Sequence, residues 1–549
     1  MMIHVKDKAL AHHSYYVDEC YVLNIKVSCG HNCAGWTLQS ALHYYEGSDI
    51  NSLVNTLHNL INDYKLEKHN SHSCDYLVIY VDDLTKIRGF LYNYISKSDD
   101  HVMYIDVFDC IEFRSYRHWT KDKDMTIVLN TMISWFNLFI KDEYVYFTPN
   151  QLNRKRIRQL MQDCCIDVYP DRVQYNQVMK AIHGGVLYYN KIPAKGNMLG
   201  LDIVSAYIYG LVFCKHPVSK PENADTADWD SYLGKADVGS IGIYEIDYDY
   251  PINNISCYKD LNDEPLKAGH HIVRVALTNI DLKLMFDLKY MQIHNCKCLY
   301  LLDYKLDYLP KTFRDYCVSS YIHKCSLTKH TIEYDNSKVQ LNGIFGNLIL
   351  GYVKDAYDKE YKKSHDVVKA TKAADKAYDD LDKSTRPEWG VFTMAYCKQL
   401  IYALGTQIAG WRYSDTDSIY CDKDSANIEI INAFNAKVMN NNFKLCEQLG
   451  YVDHIDDICR LGTFDFESDI ERFRVWGNKT YAYKTVDGEY IVKAAGCNKE
   501  ELPADDSIFD NPNYKPQVGT RTYSEYDETG YYESTSRNKL ALLRGLART

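Results

Sequence analysis

A chain of 549 residues is too long for one ordinary hydrophobic core, so we expect several domains. With 46% hydrophobic and 25% charged residues, and no apolar run of about 18 residues, the composition is typical of a soluble globular protein and gives no support for a membrane span. The net charge of −11 weighs mildly against a nucleic-acid-binding protein, although basic segments such as 153–159 leave room for a local binding surface.

The first 150 residues have the pattern of an α/β domain. Runs rich in β-branched and aromatic residues predict strands at 75–84 and 101–116, and a helical period predicts a helix at 126–140. A proline-marked joint follows at 146–158 and carries the basic segment. The N-terminus has no apolar signal-peptide core, so we expect a cytoplasmic protein.

Beyond this joint, strand-like and helical segments alternate without a repeat of about 20–50 residues. The pattern predicts a buried strand in 197–213, helical structure over 313–345, and an amphipathic helix at 391–410 that ends at Gly410. Residues 352–389 are dense in Lys, Asp and Tyr, which predicts an inserted, solvent-exposed helical or hairpin element.

Cysteine usage favours neither disulfides nor zinc. The 18 cysteines are scattered, and no CxxC pair recurs at the spacing of a zinc site, so we expect free, buried thiols. The 49 tyrosines offer many flat rings for stacking on bases or sugars, although packing accounts for most of them.

The segment RYSDTDSIY, residues 412–420, places two carboxylates in a stretch that otherwise has the pattern of a strand. Asp415 and Asp417 are two residues apart and therefore share a face. Such carboxylates repel each other unless a cation neutralises them, and Mg²⁺ prefers oxygen ligands of this kind. Taken alone, the pair fits a surface turn better than a metal site.

Two upstream segments change that balance. Asp202, in LDIVSAYIYG, follows strongly apolar residues, which places it at the end of a buried strand. In KVQLNGIFGNL, the residues Lys338, Asn342 and Phe345 follow i, i+4, i+7 spacing and share one helix face. The chain thus supplies a second acidic strand and a lysine-bearing helix before the Asp415 hairpin.

A fourth segment, GNKTYAY, adds Lys479 and Tyr481. In this order the segments resemble the motifs of the family B DNA polymerases. DIVSAY is similar to the first palm motif (DxxSLYP), KVQLNGIFG to the fingers motif (KxxxNSxYG), YSDTDS to the second palm motif (YxDTDS) and KTY to the K-x-Y motif before the thumb. IHGG resembles the YxGG motif between exonuclease and polymerase modules, with His183 in the tyrosine position. Each motif is weak alone, but five in the right order over 147–500 are strong.

The long gap between Asp202 and Lys338, and the charged block 352–388, resemble the two insertions of protein-primed polymerases of bacteriophage type. In that subgroup the first insertion contacts the terminal protein and template, and the second encircles DNA for processivity and strand displacement. The resemblance implies a multidomain α/β and α+β fold: a degenerate RNase H-like exonuclease domain followed by a right-hand polymerase with palm, fingers, thumb and two insertions. The implied order is exonuclease-like domain 1–150, linker and first palm segment 151–213, first insertion 214–312, fingers 313–351, second insertion 352–388, second palm segment 389–496 and thumb 497–549.

The sequence departs from the family pattern inside two motifs. The usual Leu-Tyr-Pro of the first palm motif is Ala206-Tyr207-Ile208, and the usual tyrosine of the fingers motif is Phe345, which keeps a ring but loses a hydroxyl. The acids and Lys338 are retained, so we expect activity to survive.

The exonuclease motifs are more degraded. Asp83 stands where asparagine is normal, Ile87 or Arg88 where a metal-binding acid is needed, and Thr131 replaces the acid of the third motif. Only Asp18-Glu19 is available near the N-terminus, at the wrong spacing. A two-metal nuclease does not retain its ions after losing that many carboxylates, so we expect an inactive scaffold.

The resemblance also assigns roles to the site residues. Asp202 and Asp415 would hold two Mg²⁺ ions about 3.5–4 Å apart, and Asp417 would support this metal site from beside it. Lys338 would neutralise charge on the triphosphate, and the ring of Tyr207 would clash with a 2′-hydroxyl. The implied nucleotide-binding residues are Ser205, Tyr207, Lys338, Asn342 and Phe345. The implied DNA-binding residues are Gly184, Gly185, Tyr413, Thr416, Lys479 and Tyr481.

The expected function is therefore template-directed DNA synthesis for a viral or linear mobile genome, protein-primed and strand-displacing. The expected partners are primer-template DNA, dNTPs and a terminal protein, with the enzyme a monomer in the host-cell cytoplasm. Two alternatives stay open: a catalytically silent scaffold that binds DNA or a terminal protein, and a nucleotidyltransferase that acts only on a protein hydroxyl. Primer extension with dNTPs and Mg²⁺ separates all three.

Overall fold

The computed structural model divides the chain into two compact units. The first comprises Met1–Leu152, Leu327–Gln340 and Gly519–Thr549, and the second comprises Asn153–Ser326 and Leu341–Val518. The structure describes residues 2–6, 12–27, 33–66, 68–70, 73–82, 84, 87, 91, 95–98, 102–105, 110–120, 124–142, 148–163, 170–189, 194–250, 257–287, 291–381, 385–477, 479–494, 505–511, 520–527 and 530–537.

Helices and strands alternate along the described chain. The helices are α1 (Ile50–Asp63), α2 (Met125–Asp142), α3 (Pro149–Asp163), α4 (Arg172–Lys180), α5 (Ala206–Phe213), α6 (Asn279–Asp287), α7 (Lys311–Cys325), α8 (Ile332–Leu348), α9 (Tyr352–Ser364), α10 (Val367–Asp379), α11 (Pro387–Gly405), α12 (Ser425–Leu449), α13 (Ile455–Cys459) and α14 (Ser507–Asp510). The strands are β1 (Met2–Lys6), β2 (His12–Val27), β3 (Cys33–Gln39), β4 (Tyr44–Gly47), β5 (Lys68–Asn70), β6 (Ser73–Val81), β7 (Ile95–Ser98), β8 (Val102–Ile105), β9 (Ile111–Ser115), β10 (Val186–Tyr189), β11 (Ala194–Ile203), β12 (Lys215–Pro217), β13 (Glu222–Asn223), β14 (Val238–Tyr250), β15 (Gly269–Thr278), β16 (Gln292–Tyr308), β17 (Tyr413–Thr416), β18 (Ser418–Asp422), β19 (Phe464–Gly477), β20 (Thr480–Thr485), β21 (Tyr490–Ala494), β22 (Thr520–Asp527) and β23 (Gly530–Arg537).

The described part of the first unit is built on a nine-stranded sheet in the order β4-β3-β2-β6-β9-β8-β7, with β1 on β2 and β5 on β6. Strands β2, β6 and β9 are parallel, and β2, β3 and β4 are antiparallel. Alternate residues of β6 face opposite sides, so Leu77 and Ile79 pack with α1 while Val78 and Tyr80 pack with α2. The α/β pattern of the N-terminal region is therefore present. The stretch predicted as one strand at 101–116 contains two described strands, β8 and β9.

Few of the degraded exonuclease positions lie among the described side chains. Ile87 is buried in the core beside α1. Thr131 is buried on α2, where its hydroxyl donates to the carbonyl of Ile127 (2.8 Å) and is thus used inside its own helix. Asp83 and Arg88 lie outside the described residues, as do the side chains of Asp18 and Glu19 on β2.

The second unit contains a seven-stranded antiparallel sheet in the order β10-β17-β18-β11-β19-β20-β21. One face is covered by helices, because Leu201 and Ile203 of β11 share a core with Ile401 and Leu404 of α11. The single residue between Leu201 and Ile203 in β11 points to the other face. Asp202 therefore lies on the face that the helices do not cover.

The chain leaves this sheet twice. Within the predicted first insertion, 214–312, a five-stranded sheet forms in the order β12-β16-β14-β15 with β13 on β16, and α6 packs against it. Within the predicted second insertion, 352–388, α9 and α10 form a helical hairpin.

Two expected helices have different bounds. The predicted helical stretch 313–345 is two helices, α7 and α8, separated by turns at 326–331 in which His330 has a φ of 68°. The predicted helix 391–410 begins earlier, at Pro387, and ends at Gly405. Gly410 instead occupies a turn at a φ of 63°, where a side chain would meet Asp422. None of the described helices is both long and apolar enough to cross a lipid bilayer.

Candidate active site

Three strands bring Asp202 and Asp415 into one row across the sheet. In the register of β11 with β18, Asp202 lies opposite Ser418, and in the β17–β18 hairpin Ser418 lies opposite Asp415. Opposed residues of antiparallel strands point to the same face, so both carboxylates project from the face that the helices do not cover. Two strand spacings separate their Cα atoms, which is about 10 Å.

A strained turn holds Asp417 beside this row. Thr416, between the two aspartates, has a φ of 68°, in the left-handed region that non-glycine residues rarely adopt. The amide of Asp417 donates to the carbonyl of Asp415 (2.8 Å), and the carbonyl of Asp417 accepts from the amide of Ile203 (2.8 Å). These bonds fix the turn to the end of the Asp202 strand. The structure thus brings together the three aspartates that the sequence predicted.

Asp415 has a cationic partner. The Lys479 ammonium donates to both of its oxygens (2.7 and 2.9 Å), and the Thr416 hydroxyl donates to one of them (3.1 Å). Lys479 itself has a φ of 52°, and its amide donates to the Tyr413 hydroxyl (3.2 Å). Lys479, expected to contact DNA, therefore bonds the carboxylate that was expected to bind metal.

The donor set fits a hard divalent cation by its chemistry. Asp202 and Asp415 present carboxylate oxygens on one face, the ligand type that Mg²⁺ prefers. Among the described residues, no three His, Cys, Asp or Glu side chains are already gathered in the geometry of a metal site. The ammonium of Lys479 now balances the Asp415 charge, so a cation there would replace or share that partner.

Tyr413 lies on the same face of β17 as Asp415, and the rings of Tyr413 and Tyr481 are buried. Both belong to a buried aromatic cluster with Tyr420 and Phe473, and Tyr413 is 1% exposed. Burial raises the pKa of Tyr481, and the charges of Asp415 and Asp202 raise it further. The assignment of these two residues to DNA binding stays a prediction from the motifs, and in this structure their rings pack against each other in the aromatic cluster.

Tyr207 and Phe345, predicted to line the nucleotide site, are in contact with each other. Their rings stack in parallel, with centroids 4.0 Å apart and planes 6° apart. Burial raises the pKa of the Tyr207 hydroxyl, and the charges of Asp417 and Asp415 contribute to the rise. Asn342, one helical turn before Phe345 on α8, is exposed. The ring pair therefore lies close to the aspartate turn.

Ser205 and Lys338 occupy different settings. Ser205 precedes α5 at a φ of 46°, and its hydroxyl accepts from the Lys324 ammonium (3.1 Å). Lys338 is exposed on α8, in the part of that helix that belongs to the first unit, whereas the aspartates belong to the second. Its assignment to the triphosphate therefore stays a prediction from the motif.

Solved structures of phi29 DNA polymerase resemble the chain over nearly its whole length. Its post-translocation binary complex with primer-template DNA has a TM-score of 0.62 at 14% identity, covering 94% of this chain and 99% of that one. The ternary complex with primer-template and incoming nucleotide substrates has 0.60 at 16%, covering 94% and 98%. The complex with single-stranded DNA has 0.61 at 14%, covering 94% and 98%. This chain has the fold of phi29 DNA polymerase.

The similarity shows the fold and does not test the role of any residue. No protein-family model and no curated protein sequence matches the chain. The predicted multidomain polymerase fold is confirmed at this coarse level, and the domain boundaries and site roles stay predictions.

In this phi29 polymerase fold, Gly184 and Gly185 have unequal surroundings. Gly184 is exposed, and a Cβ built there would meet no atom within 4 Å. Gly185 is buried, and a Cβ there would lie 2.5 Å from the Cα of Thr416. Gly184 is accessible as the DNA-binding prediction requires, whereas Gly185 packs against the aspartate turn from behind.

Sequence reasoning missed a third carboxylate in the row. Asp465 of β19 lies opposite Asp202 on the side away from Ser418, and both of its oxygens accept from Arg460 (2.9 and 3.1 Å). The segment TFDFESD shows acidic alternation, but the β11–β19 register that places Asp465 beside Asp202 contains an irregularity between Gly200 and Leu201. No motif in the sequence specifies that register.

Proposed function

We propose that this protein is a template-directed DNA polymerase. The observation that carries the proposal is the row in which Asp202 and Asp415 project from one face of the central sheet, with the Asp417 turn bonded to the end of the Asp202 strand. The phi29 polymerase fold supports it, because the solved relatives hold primer-template DNA and nucleotides.

The proposed reaction is attack of a primer hydroxyl on the α-phosphate of a dNTP, with release of pyrophosphate. Asp202 and Asp415 would hold two Mg²⁺ ions, which when bound supply charge stabilisation and activate the attacking oxygen. Lys479 would release Asp415 as the site loads and remain nearby as a mobile cation. Tyr207 and Phe345 would form a flat wall against the incoming nucleotide, and Lys338 would neutralise triphosphate charge.

Protein priming and strand displacement extend the same proposal. The five-stranded sheet at 215–308 would offer a docking surface to a priming protein, and the helical hairpin α9–α10 would contact the DNA. We assign the N-terminal unit to an exonuclease-like scaffold without nuclease activity. The mixed parallel and antiparallel sheet of this unit supports the exonuclease-like assignment, and the Thr131 hydroxyl is hydrogen-bonded within its own helix. A monomer acting in the cytoplasm of a host cell completes the proposal.

Substitution of the aspartates tests the polymerase assignment. Asp202→Asn and Asp415→Asn should each lower primer extension about 100- to 1,000-fold, the loss expected when one essential electrostatic group is removed. Binding to primer-template, measured by fluorescence anisotropy, should remain within about threefold. The same reactions without dNTPs report any 3′–5′ degradation, and we expect none.

Asp469→Asn is the matched control, since this aspartate lies on β19 in the same sheet but pairs with Lys423. It should extend primers as the unaltered enzyme does. Full extension by Asp202→Asn would contradict the assignment.

The ion pair between Lys479 and Asp415 favours one alternative, a DNA-binding scaffold without catalysis, because an ammonium already neutralises the carboxylate. That alternative predicts tight binding of primer-template with no extension at any Mg²⁺ or Mn²⁺ concentration. The extension assay on the unaltered chain decides between the two.

A further inference from the structure

His183 stands in the tyrosine position of the IHGG segment, yet it is only 3% exposed. Its Nε2 lies 2.6 Å from the carbonyl oxygen of Ala276, and its Nδ1 lies 3.3 Å from the amide nitrogen of Lys259. Because an amide can only donate, Nδ1 accepts and Nε2 carries the proton that Ala276 accepts. Both partners belong to the region of the first insertion.

A buried polar network surrounds this imidazole. The ring meets Tyr258 edge-on at 5.3 Å, and the Tyr258 hydroxyl donates to Asp281 (3.1 Å). Lys398 of α11 donates to the same carboxylate (2.9 Å), and both charged side chains are 1% exposed. Burial, together with the charge of Lys398, lowers the pKa of His183 to about 4. His183 is therefore neutral at neutral pH and presents no charge to a DNA phosphate.

The same short segment ends against the aspartate turn. Two residues after His183, Gly185 approaches Thr416 so closely that a Cβ would lie 2.5 Å from the Thr416 Cα. Strand β10 then pairs with β17, with Val186 opposite Thr416 and Leu187 opposite Asp415. The backbone from His183 to Leu187 thus joins the insertion sheet to the strand that carries Asp415.

We propose that His183 is a positioning residue that ties the catalytic turn to the first insertion, so that the placement of the insertion sets the geometry of Asp415 and Asp417. The inference rests on the proposed polymerase function. It gives His183 the role of a structural link between the first insertion and the catalytic carboxylates. A partner that shifts the insertion sheet would act on the turn through the same link.

His216 provides a matched control. It is also completely buried in the same unit, its Nδ1 lies 3.0 Å from the Cys214 carbonyl oxygen and its Nε2 lies 3.0 Å from the Thr393 hydroxyl. Burial lowers its pKa to about 4, as for His183. It lies on β12 of the insertion sheet and has no bond to the β10 strand among its described contacts.

The experiment compares His183→Ala, His183→Gln and His216→Ala in the full chain. We expect His183→Ala to lower kcat for single-nucleotide addition about 10- to 100-fold, the size expected when a reacting group is displaced by about 1 Å. The KM for dNTP and the Kd for primer-template should change by less than about threefold. His183→Gln, which keeps a donor for Ala276, should recover part of kcat. His216→Ala should retain kcat to within about threefold even where it lowers Tm as much.

A double variant tests the route of the effect. If His183 acts through Gly185, then Gly185→Ala and His183→Ala together should lower kcat by much less than the product of their separate effects. Equal losses of kcat in His183→Ala and His216→Ala at matched Tm would overturn the proposal. So would a weaker primer-template affinity with kcat retained, because that result marks a DNA contact.

Binding of Mn²⁺ alone, followed by electron paramagnetic resonance, separates this proposal from the polymerase assignment. The unaltered chain should bind Mn²⁺ at a site lost in Asp415→Asn, and His183→Ala should weaken that binding at least fivefold while His216→Ala does not. If the unaltered chain binds Mn²⁺ but extends no primer, the polymerase assignment fails while the positioning role is still measured. Unchanged Mn²⁺ affinity in His183→Ala would refute the positioning role.

Discussion

Asp415 has two competing partners, the Lys479 ammonium and the cation of the proposed reaction. The ammonium is half-exposed and the carboxylate mostly buried, so the pair is screened on one side only. Its net contribution to stability is therefore modest, and a divalent cation with a larger charge can displace it. In the proposed function, the pair would keep two nearby carboxylates from repelling each other before nucleotide and metal bind. A lysine at this position is thus compatible with catalysis, as a placeholder for positive charge.

Tyr207 should decide which sugar the enzyme accepts. Tyr207→Ala removes a ring that stacks on Phe345 at 4.0 Å, and the space it leaves should admit a 2′-hydroxyl. Discrimination by shape in such a pocket is worth about 1–3 kcal/mol, so we expect ribonucleotide incorporation relative to dNTP to rise about 10- to 200-fold. Steady-state incorporation of a single dNTP or rNTP measures it. Tyr207→Phe keeps the ring and serves as the control, and unchanged selectivity in Tyr207→Ala would place the sugar gate elsewhere.

Glu388 should make stability depend on pH. It is completely buried at the start of α11, and burial, opposed by its own backbone amide and by the charge of Arg386, leaves its pKa raised to about 7. Since the folded pKa exceeds the usual value of 4.5, its stabilising protonated form is complete below about pH 4.5 and is lost as pH rises through 7. The stability of Glu388→Gln relative to the unaltered chain should therefore be about 2.5 kcal/mol greater at pH 8 than at pH 5.

Urea denaturation at both pH values measures this gain, with the exposed Glu447→Gln of α12 as the control. An equal stability difference between Glu388→Gln and the unaltered chain at pH 5 and pH 8 would show that the carboxyl ionises freely in the folded state.

At the scale of elements, the local sequence pattern predicted helices and strands correctly where the tertiary packing follows the same pattern. The apolar residues before Asp202 predicted that it ends a buried strand, and it does lie near the end of β11; the rest of the stretch predicted as strand, up to residue 213, is the helix α5. The spacing of Asp415 and Asp417 predicted a shared face, whereas the register shows that Asp415 shares a face with Asp202 and that Asp417 lies in the turn between β17 and β18. Helical period alone ran through 326–331, where turns break the helix. The spacing of apolar residues cannot reveal such a break, because the helices on both sides of it keep their apolar residues at helical intervals.

Contacts between distant segments could not be read from the sequence. Lys479 meets Asp415 across 64 positions, and His183 meets the Ala276 carbonyl across 93. Tyr413 and Tyr481 belong to motifs associated with DNA, yet their orientation depends on which face of the sheet is packed. Which face of the sheet is packed depends on the rest of the fold, and this tertiary context overrides the intrinsic preference of a single residue.

At the scale of the whole chain, the net charge of −11 hides local basic surfaces. Lys369, Lys372 and Lys376 are exposed on α10 at spacings that place them on one helix face. The hairpin base is anchored in its own unit: Arg172 pairs with Asp375 (3.0 Å), and the Tyr378 hydroxyl donates to the Pro170 carbonyl (2.8 Å). The hairpin is therefore a fixed element that carries a row of positive charge, as an element that grips phosphates requires.

Shortening this hairpin should separate nucleotide addition from processive synthesis. Replacing 358–373 with a short Gly-Ser link leaves the base contacts of Asp375 and Tyr378 and the buried Ala374 in place, and Ala370 is the one buried side chain of α10 that it removes. We expect single-nucleotide addition to stay within about twofold of the unaltered enzyme. Products on a long primed circle should shorten at least tenfold, and displacement of a downstream strand should be lost, because the template and displaced strands lose one of their guiding surfaces.

The three exposed lysines of α10 provide a more specific test of the same prediction. Changing Lys369, Lys372 and Lys376 together to Gln keeps the hairpin but removes three charges, so the salt dependence of primer-template binding should fall by about one unit of slope for each phosphate that no longer pairs with a lysine. Lys437→Gln with Lys444→Gln, exposed on α12, is the control and should leave the slope unchanged. If the shortened enzyme stays fully processive and the lysine variant keeps its salt slope, the hairpin does not touch DNA, and strand displacement must depend on another element of the fold.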